Sequence, residues 1–175
     1  QPFRDGYSIV VFNGLIYNYL EIKSKLKSFY NFKTKSDTEV ISAAYKYWGK
    51  KCFKEFNGMF SIVIYDLRTK ELIVARDRLG IKPLYYRKEK KNYFFSSEVK
   101  PLLKIEKYNQ DLKTVCNYFQ NSTYENNEST FYEEVKQFLP GRYYVFKDYR
   151  FQQVVNYWNL KNKINPKDKI SSIQT

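Results

Sequence analysis

The run Ile9-Val10-Val11-Phe12 constrains this chain more than any other stretch. It is short, apolar, and built of β-branched and aromatic residues, so it reads as a buried strand. Asn13-Gly14 then breaks it with a turn signal, and Ile16 opens a helical pattern. A strand ending in an amide side chain and a glycine N–H can hold two donors at a fixed point. A developing oxyanion needs donors placed in that way. Taken alone, the pair reads more simply as an ordinary strand-ending turn.

The rest of the chain alternates between two periodicities. Ile16, Leu20, Ile22 or Lys23, and Leu26 recur at helical spacing, and Phe29 to Phe32 follow as an exit turn or short strand. Ser36 with Glu39 fits a capping box, which predicts a helix to about Trp48 with Gly49 ending it. Phe60–Asp66 is a second strong strand, and Leu72–Arg76 returns as its hairpin partner. After an irregular stretch from Asp77 to Pro83, Leu84–Arg87 and Tyr93–Ser96 form another hairpin. Val99–Leu103 and Leu112–Phe119 read as helices, and Asn121–Ser129 as a polar loop. Pro140-Gly141 turns the chain before Tyr143–Phe146, with Phe151–Tyr157 pairing back. Strands in hairpins with helices grouped between them predict an α+β domain with a largely antiparallel sheet.

Composition narrows the function. A chain of 175 residues fits one domain, and 43% hydrophobic with 19% aromatic residues is a globular composition. The net charge of +13 invites a polyanion partner, but it comes mainly from dispersed lysines. The densest basic cluster, Arg87–Lys91, reads as a solvated hairpin turn, and no RNA-recognition motif accompanies it. Nucleic-acid binding is therefore set aside. Histidine is absent, which removes imidazole as base or metal ligand. Cys52 reads as a buried small hydrophobe; Cys116 lies far from it on a predicted helix, so neither a metal site nor a disulfide framework is expected. No apolar run is long enough to span a membrane, and free thiols favour the cytoplasm. The start at Gln1 and the Lys-rich residues 161–175 suggest a piece of a longer protein.

Two further groups can carry chemistry. Asp37 can hold an ammonium by a charge-assisted bond, although a first-turn acid favoured by the helix dipole explains it as well. Arg76-Asp77-Arg78 can anchor a ligand, but an internal Arg–Asp network is the simpler reading.

The order of the motifs adds what no single one supplies. NGLIYN at 13–18, TKSDTE at 34–39, NGMFSIVIYD at 57–66, ARDRLGIKPLYY at 75–86, FFSSEVKPLL at 94–103, FLPG at 138–141 and YWNL at 157–160 follow one another. Together they resemble the glutaminase domain of glutamine-hydrolysing asparagine synthetases, a class II amidotransferase of the N-terminal-nucleophile type. The resemblance covers residues 1–160 and implies a four-layer αββα sandwich lacking its first strands. Residues 161–175 then begin a linker to a synthetase domain. It implies glutamine hydrolysis, with ammonia passed to a domain that amidates aspartate using ATP and Mg2+; the glutaminase domain itself needs no cofactor or metal. By the same resemblance Asn13 and Gly14 form the oxyanion hole, and Asp37 binds the substrate's α-amino group. A homodimer is compatible with it.

Two departures matter. The family usually places Glu after the Asn-Gly pair, as a further contact to the substrate amine, where this chain has Leu15. Its nucleophile is an N-terminal cysteine whose own α-amino group is the base, and neither Cys52 nor Cys116 matches it. These 175 residues alone are therefore expected to be inactive. The alternatives are a paralogue amidating another carboxylate, such as a sugar acid, or a catalytically dead regulatory domain.

Overall fold

The structure, a computed structural model, describes residues 1–122 and 127–160. The expected polar loop at 121–129 therefore falls partly outside the described residues, and the expected linker at 161–175 wholly so.

In chain order the elements are β1 (Phe3–Arg4), β2 (Ser8–Ile16), α1 (Tyr19–Leu26), α2 (Asp37–Trp48), α3 (Cys52–Glu55), β3 (Gly58–Asp66) and β4 (Glu71–Arg76). Then come β5 (Tyr85–Glu89), β6 (Asn92–Ser96), α4 (Val99–Leu103), α5 (Leu112–Asn121), β7 (Val135–Gln137), β8 (Arg142–Lys147) and β9 (Arg150–Asn156). One sheet runs β1-β2-β3-β4-β8-β9 and the other β6-β5-β7. Every pairing is antiparallel. Helices α1 and α2 cover one face of the large sheet, and α4 lies on the small sheet. The molecule is thus the expected α+β sandwich of four layers, helix–sheet–sheet–helix.

Strand alternation divides the core in two. Phe60, Ile62 and Ile64 of β3 face the helices with Val10, Phe12 and Ile16 of β2 and Ile73 and Ala75 of β4. The intervening residues, among them Val63, Leu72 and Val74, face the small sheet and meet Tyr86, Tyr93, Phe95 and Phe138. On the helix side Phe53, Phe56 and Phe60 are fully buried and meet edge to face at 6.1 and 5.9 Å. Each such side chain stabilises the fold by about 2 kcal/mol through burial.

Several local expectations change. Asn13-Gly14 is not a turn: β2 continues through it, in register with β3 as far as Ile16 opposite Gly58. Gly14 has φ +148°, and a Cβ there would sit 2.1 Å from the Met59 carbonyl oxygen. Across the ladder, a Cβ on Gly58 would lie 2.2 Å from the Leu15 oxygen. The two glycines allow a close approach of strands that a side chain forbids. The following helix starts only at Tyr19; Ile22 and Leu26 are buried in it, while Leu20 is exposed. The basic cluster is not uniformly solvated either. Its turn is at Lys90-Lys91, but Arg87 is 1% exposed. Arg87 donates to the carbonyls of Leu102, Glu106 and Lys107, tying α4 and its exit to β5.

Candidate functional site

The site is built at one edge of β2. The side chain of Gln1 pairs with the Phe12 N–H and C=O at 2.8 and 2.6 Å, which closes that edge as far as Phe12. Four residues further the Ile16 N–H donates to Asp37 Oδ2 at 3.3 Å, on the edge away from β3. Backbone groups alternate along a strand, so Gly14, midway between Phe12 and Ile16, turns its N–H to the same edge. Asn13 and Leu15 project instead from the face toward the small sheet, where Leu15 is 44% exposed and Val11 48%. The Asn13 amide reaches across and donates from Nδ2 to Ser97 Oγ at 3.1 Å.

Asp37 is placed by the start of α2. Ser36 Oγ accepts from the Thr38 N–H, as a cap should. The other half of the expected capping box is used differently. Glu39 is buried and accepts from the N–H groups of Lys33 and Thr34 at 2.8 and 2.7 Å, and from the Thr34 hydroxyl at 2.6 Å. Burial alone pushes the Glu39 carboxyl upward, but these donors outweigh it and hold it below the ordinary carboxylate range. Lys23 Nζ adds a bond to the Thr34 carbonyl at 2.6 Å. The loop before α2 is thus bound down, and Asp37 emerges from it half-buried beside Ile16. Asn13 and Ile16 are about 10 Å apart along the strand. The edge therefore offers amide donors near one end and a carboxylate near the other.

The charged group after β4 is structural. Asp77 accepts from the N–H groups of Leu79, Ile81, Lys82 and Phe60. Arg76 donates to the carbonyls of Lys82, Gly80 and Phe138 and to Gln137 Oε1. The network is internal as expected, but Arg76 and Asp77 are satisfied by backbone or amide groups rather than by an Arg–Asp pair. Arg78 donates to the Lys54 carbonyl at 3.1 Å and keeps a buried Nε with no partner among the described residues. Tyr157 locks it, donating to the Arg76 carbonyl at 2.7 Å. In NGLIYN the second Asn is structural too: Asn18 bonds the Glu55 carbonyl and the Asn57 N–H.

Cys52 is buried as expected, on the helix side of the large sheet, which is the wrong face for Asn13. Burial drives its thiol pKa up, so it stays neutral and inert. Cys116 is exposed on α5. The sequence reading missed Ser97. FFSSEVKPLL carries it just before α4, but periodicity says nothing about which residue across the sandwich it meets.

A family model described as a glutamine amidotransferase domain matches residues 1–158. The chain belongs to that family. A putative glutamine-hydrolysing asparagine synthetase 2 of Methanocaldococcus jannaschii is 44% identical over 104 residues, 58% of this chain and 19% of its own length. Asparagine synthetase 1 of Bacillus subtilis is 33% identical over 150 residues, 84% of this chain and 24% of its own. An amidase of Gibberella zeae, chry2, is 30% identical over 163 residues, 92% of this chain and 24% of its own. The chain thus spans about a fifth to a quarter of these relatives. A solved glutamine phosphoribosylpyrophosphate amidotransferase from B. subtilis shares the fold, with TM-score 0.62 at 20% identity, over 90% of this chain and 32% of that one. The fold is therefore that of the N-terminal-nucleophile amidotransferases.

Proposed function

We propose that this domain is the glutaminase part of a cytoplasmic, glutamine-hydrolysing asparagine synthetase. The observation that carries the reading is the β2 edge: the Gly14 N–H and the Asp37 carboxylate lie along it, with the Asn13 amide on the adjoining face. When a nucleophile attacks the glutamine carboxamide, charge develops on its oxygen. Asn13 and Gly14 donate to that oxyanion, and one such donor is worth about 3 kcal/mol. Asp37 pairs with the α-ammonium, a charged hydrogen bond worth about 2 kcal/mol. Leu15 contributes no charge there, so Asp37 carries the ammonium without the second carboxylate usual in the family.

The nucleophile this reading calls for is an N-terminal cysteine of the natural chain, with its α-amino group as base. The ammonia released passes to a synthetase domain of the same chain, which amidates aspartate with ATP and Mg2+. The asparagine synthetases among the relatives support this acceptor over a sugar acid, and the glutaminase half requires no cofactor of its own.

The test compares glutamine-dependent with ammonia-dependent asparagine formation by the protein in its natural full length. Asn13→Ala is expected to remove the first and spare the second. Equal loss of both, or of neither, refutes the assignment.

A further inference from the structure

We infer that Ser97 is the positioning residue that orients the Asn13 amide toward the reacting oxygen; this rests on the oxyanion role given above to Asn13. Across β2, β3 and β4 the register sets Asn13 opposite Ser61 and Ser61 opposite Arg76. These three form a polar row on the face toward the small sheet. Each finds a different partner there. Ser61 donates to the Pro83 carbonyl at 2.9 Å, and Arg76 to Gln137 Oε1 and the Phe138 carbonyl. Asn13 alone in the row relies on a single side-chain hydroxyl, Ser97 Oγ at 3.1 Å.

An exposed Asn carboxamide turns freely about its last torsion, which is broad and roughly two-fold. Its NH2 carries two hydrogens. Ser97 takes one of them and so fixes the plane of the amide, leaving the second hydrogen for an oxyanion. A donor fixed in advance costs no reorganisation when charge develops, which is where such donors gain their effect. Ser97 can act in this way because its own position is defined. It follows β6, whose last residue, Ser96, accepts the Glu98 N–H at 3.1 Å on its hydroxyl, and α4 begins at Val99. The Asn13–Ser97 bond also joins the large sheet to the small one, so a purely structural tie is the competing account.

The two accounts separate in steady-state glutaminase kinetics of the natural full-length protein. Ser97→Ala is expected to lower kcat for glutamine about tenfold while KM stays within about twofold, because the lost interaction acts in the transition state. Ammonia-dependent activity should be unchanged. Ser97→Thr, which keeps the hydroxyl, should recover most of the rate. Combining Ser97→Ala with Asn13→Ala should cost no more than Asn13→Ala alone, since both remove one interaction. An unchanged kcat in Ser97→Ala, or additive losses in the double variant, overturns the positioning role and leaves the glutaminase reading standing. A wild-type protein that forms asparagine from ammonia but does not hydrolyse glutamine overturns both.

Discussion

The corner at Arg76–Pro83 and the edge at Asn13–Ile16 use the same materials to opposite ends. Both set polar residues beside buried strands, and both lie in conspicuous sequence motifs. At the corner the two central side chains are saturated: Asp77 takes four N–H groups and Arg76 four oxygens. Both side chains are buried. At the edge, Asn13 has its one bond to Ser97, Asp37 has one long bond to Ile16, and the Gly14 N–H points away from the β2–β3 ladder. Saturated polar groups hold a shape, whereas groups with unused capacity are available to a substrate. The stretch that looks most like a charged binding cluster is the scaffold.

The sharpest way to break this contrast is Asp77→Ala. It strands four backbone donors, two of them in the chain turn Leu79–Ile81, and should lower unfolding stability by about 4 kcal/mol. Chemical denaturation reads this, and a loss under about 1 kcal/mol would mean that the corner is not the scaffold claimed. Asn13→Ala should do the reverse. It should reduce glutaminase turnover about 100-fold, near 3 kcal/mol in the barrier, with stability changed by no more than about 1 kcal/mol. If it unfolds the protein instead, the edge and the corner are alike. Asp37→Ala should act chiefly on substrate affinity, raising KM for glutamine about tenfold or more while ammonia-dependent synthesis persists. An unaltered KM would return Asp37 to a helix-dipole role.

The smallest effect concerns pH. The bound-down Glu39 has its pKa depressed on folding, so its contribution is fully present above the unfolded value of about 4.3 and fades as pH falls through the folded value. Glu39→Gln should therefore lower stability at neutral pH by about 1 kcal/mol and flatten the acid limb of the stability profile. A variant whose acid limb is as steep as the wild type's would show that another carboxylate governs it.

Much of the fold is legible without coordinates. The hairpins of β3–β4, β5–β6 and β8–β9 follow from apolar runs separated by short polar turns. The helix Asp37–Trp48 follows from Ser36 at one end and Gly49 at the other. These signals are local, and local chemistry suffices to read them. Gly14 fails for the opposite reason. Asn-Gly is a turn pair by intrinsic preference, but the β3 backbone lies so close that only a residue without a Cβ fits, and the strand runs on through it. Arg87 fails in the same way, because its partners are carbonyls from residues 102 to 107.

The sequence by itself determined the α+β class, the antiparallel hairpins and the motif order that marks the amidotransferase, and it offered Asn13, Gly14 and Asp37 as candidates. Tertiary structure decided what those residues touch. Only strand pairing assigns the Gly14 N–H to an open edge, only the docking of α2 beside β2 brings Asp37 to Ile16, and only the stacking of two sheets sets Ser97 against Asn13. Periodicity records which face of an element is buried. Contact between residues 84 positions apart depends on how the faces are assembled, and no local pattern encodes it.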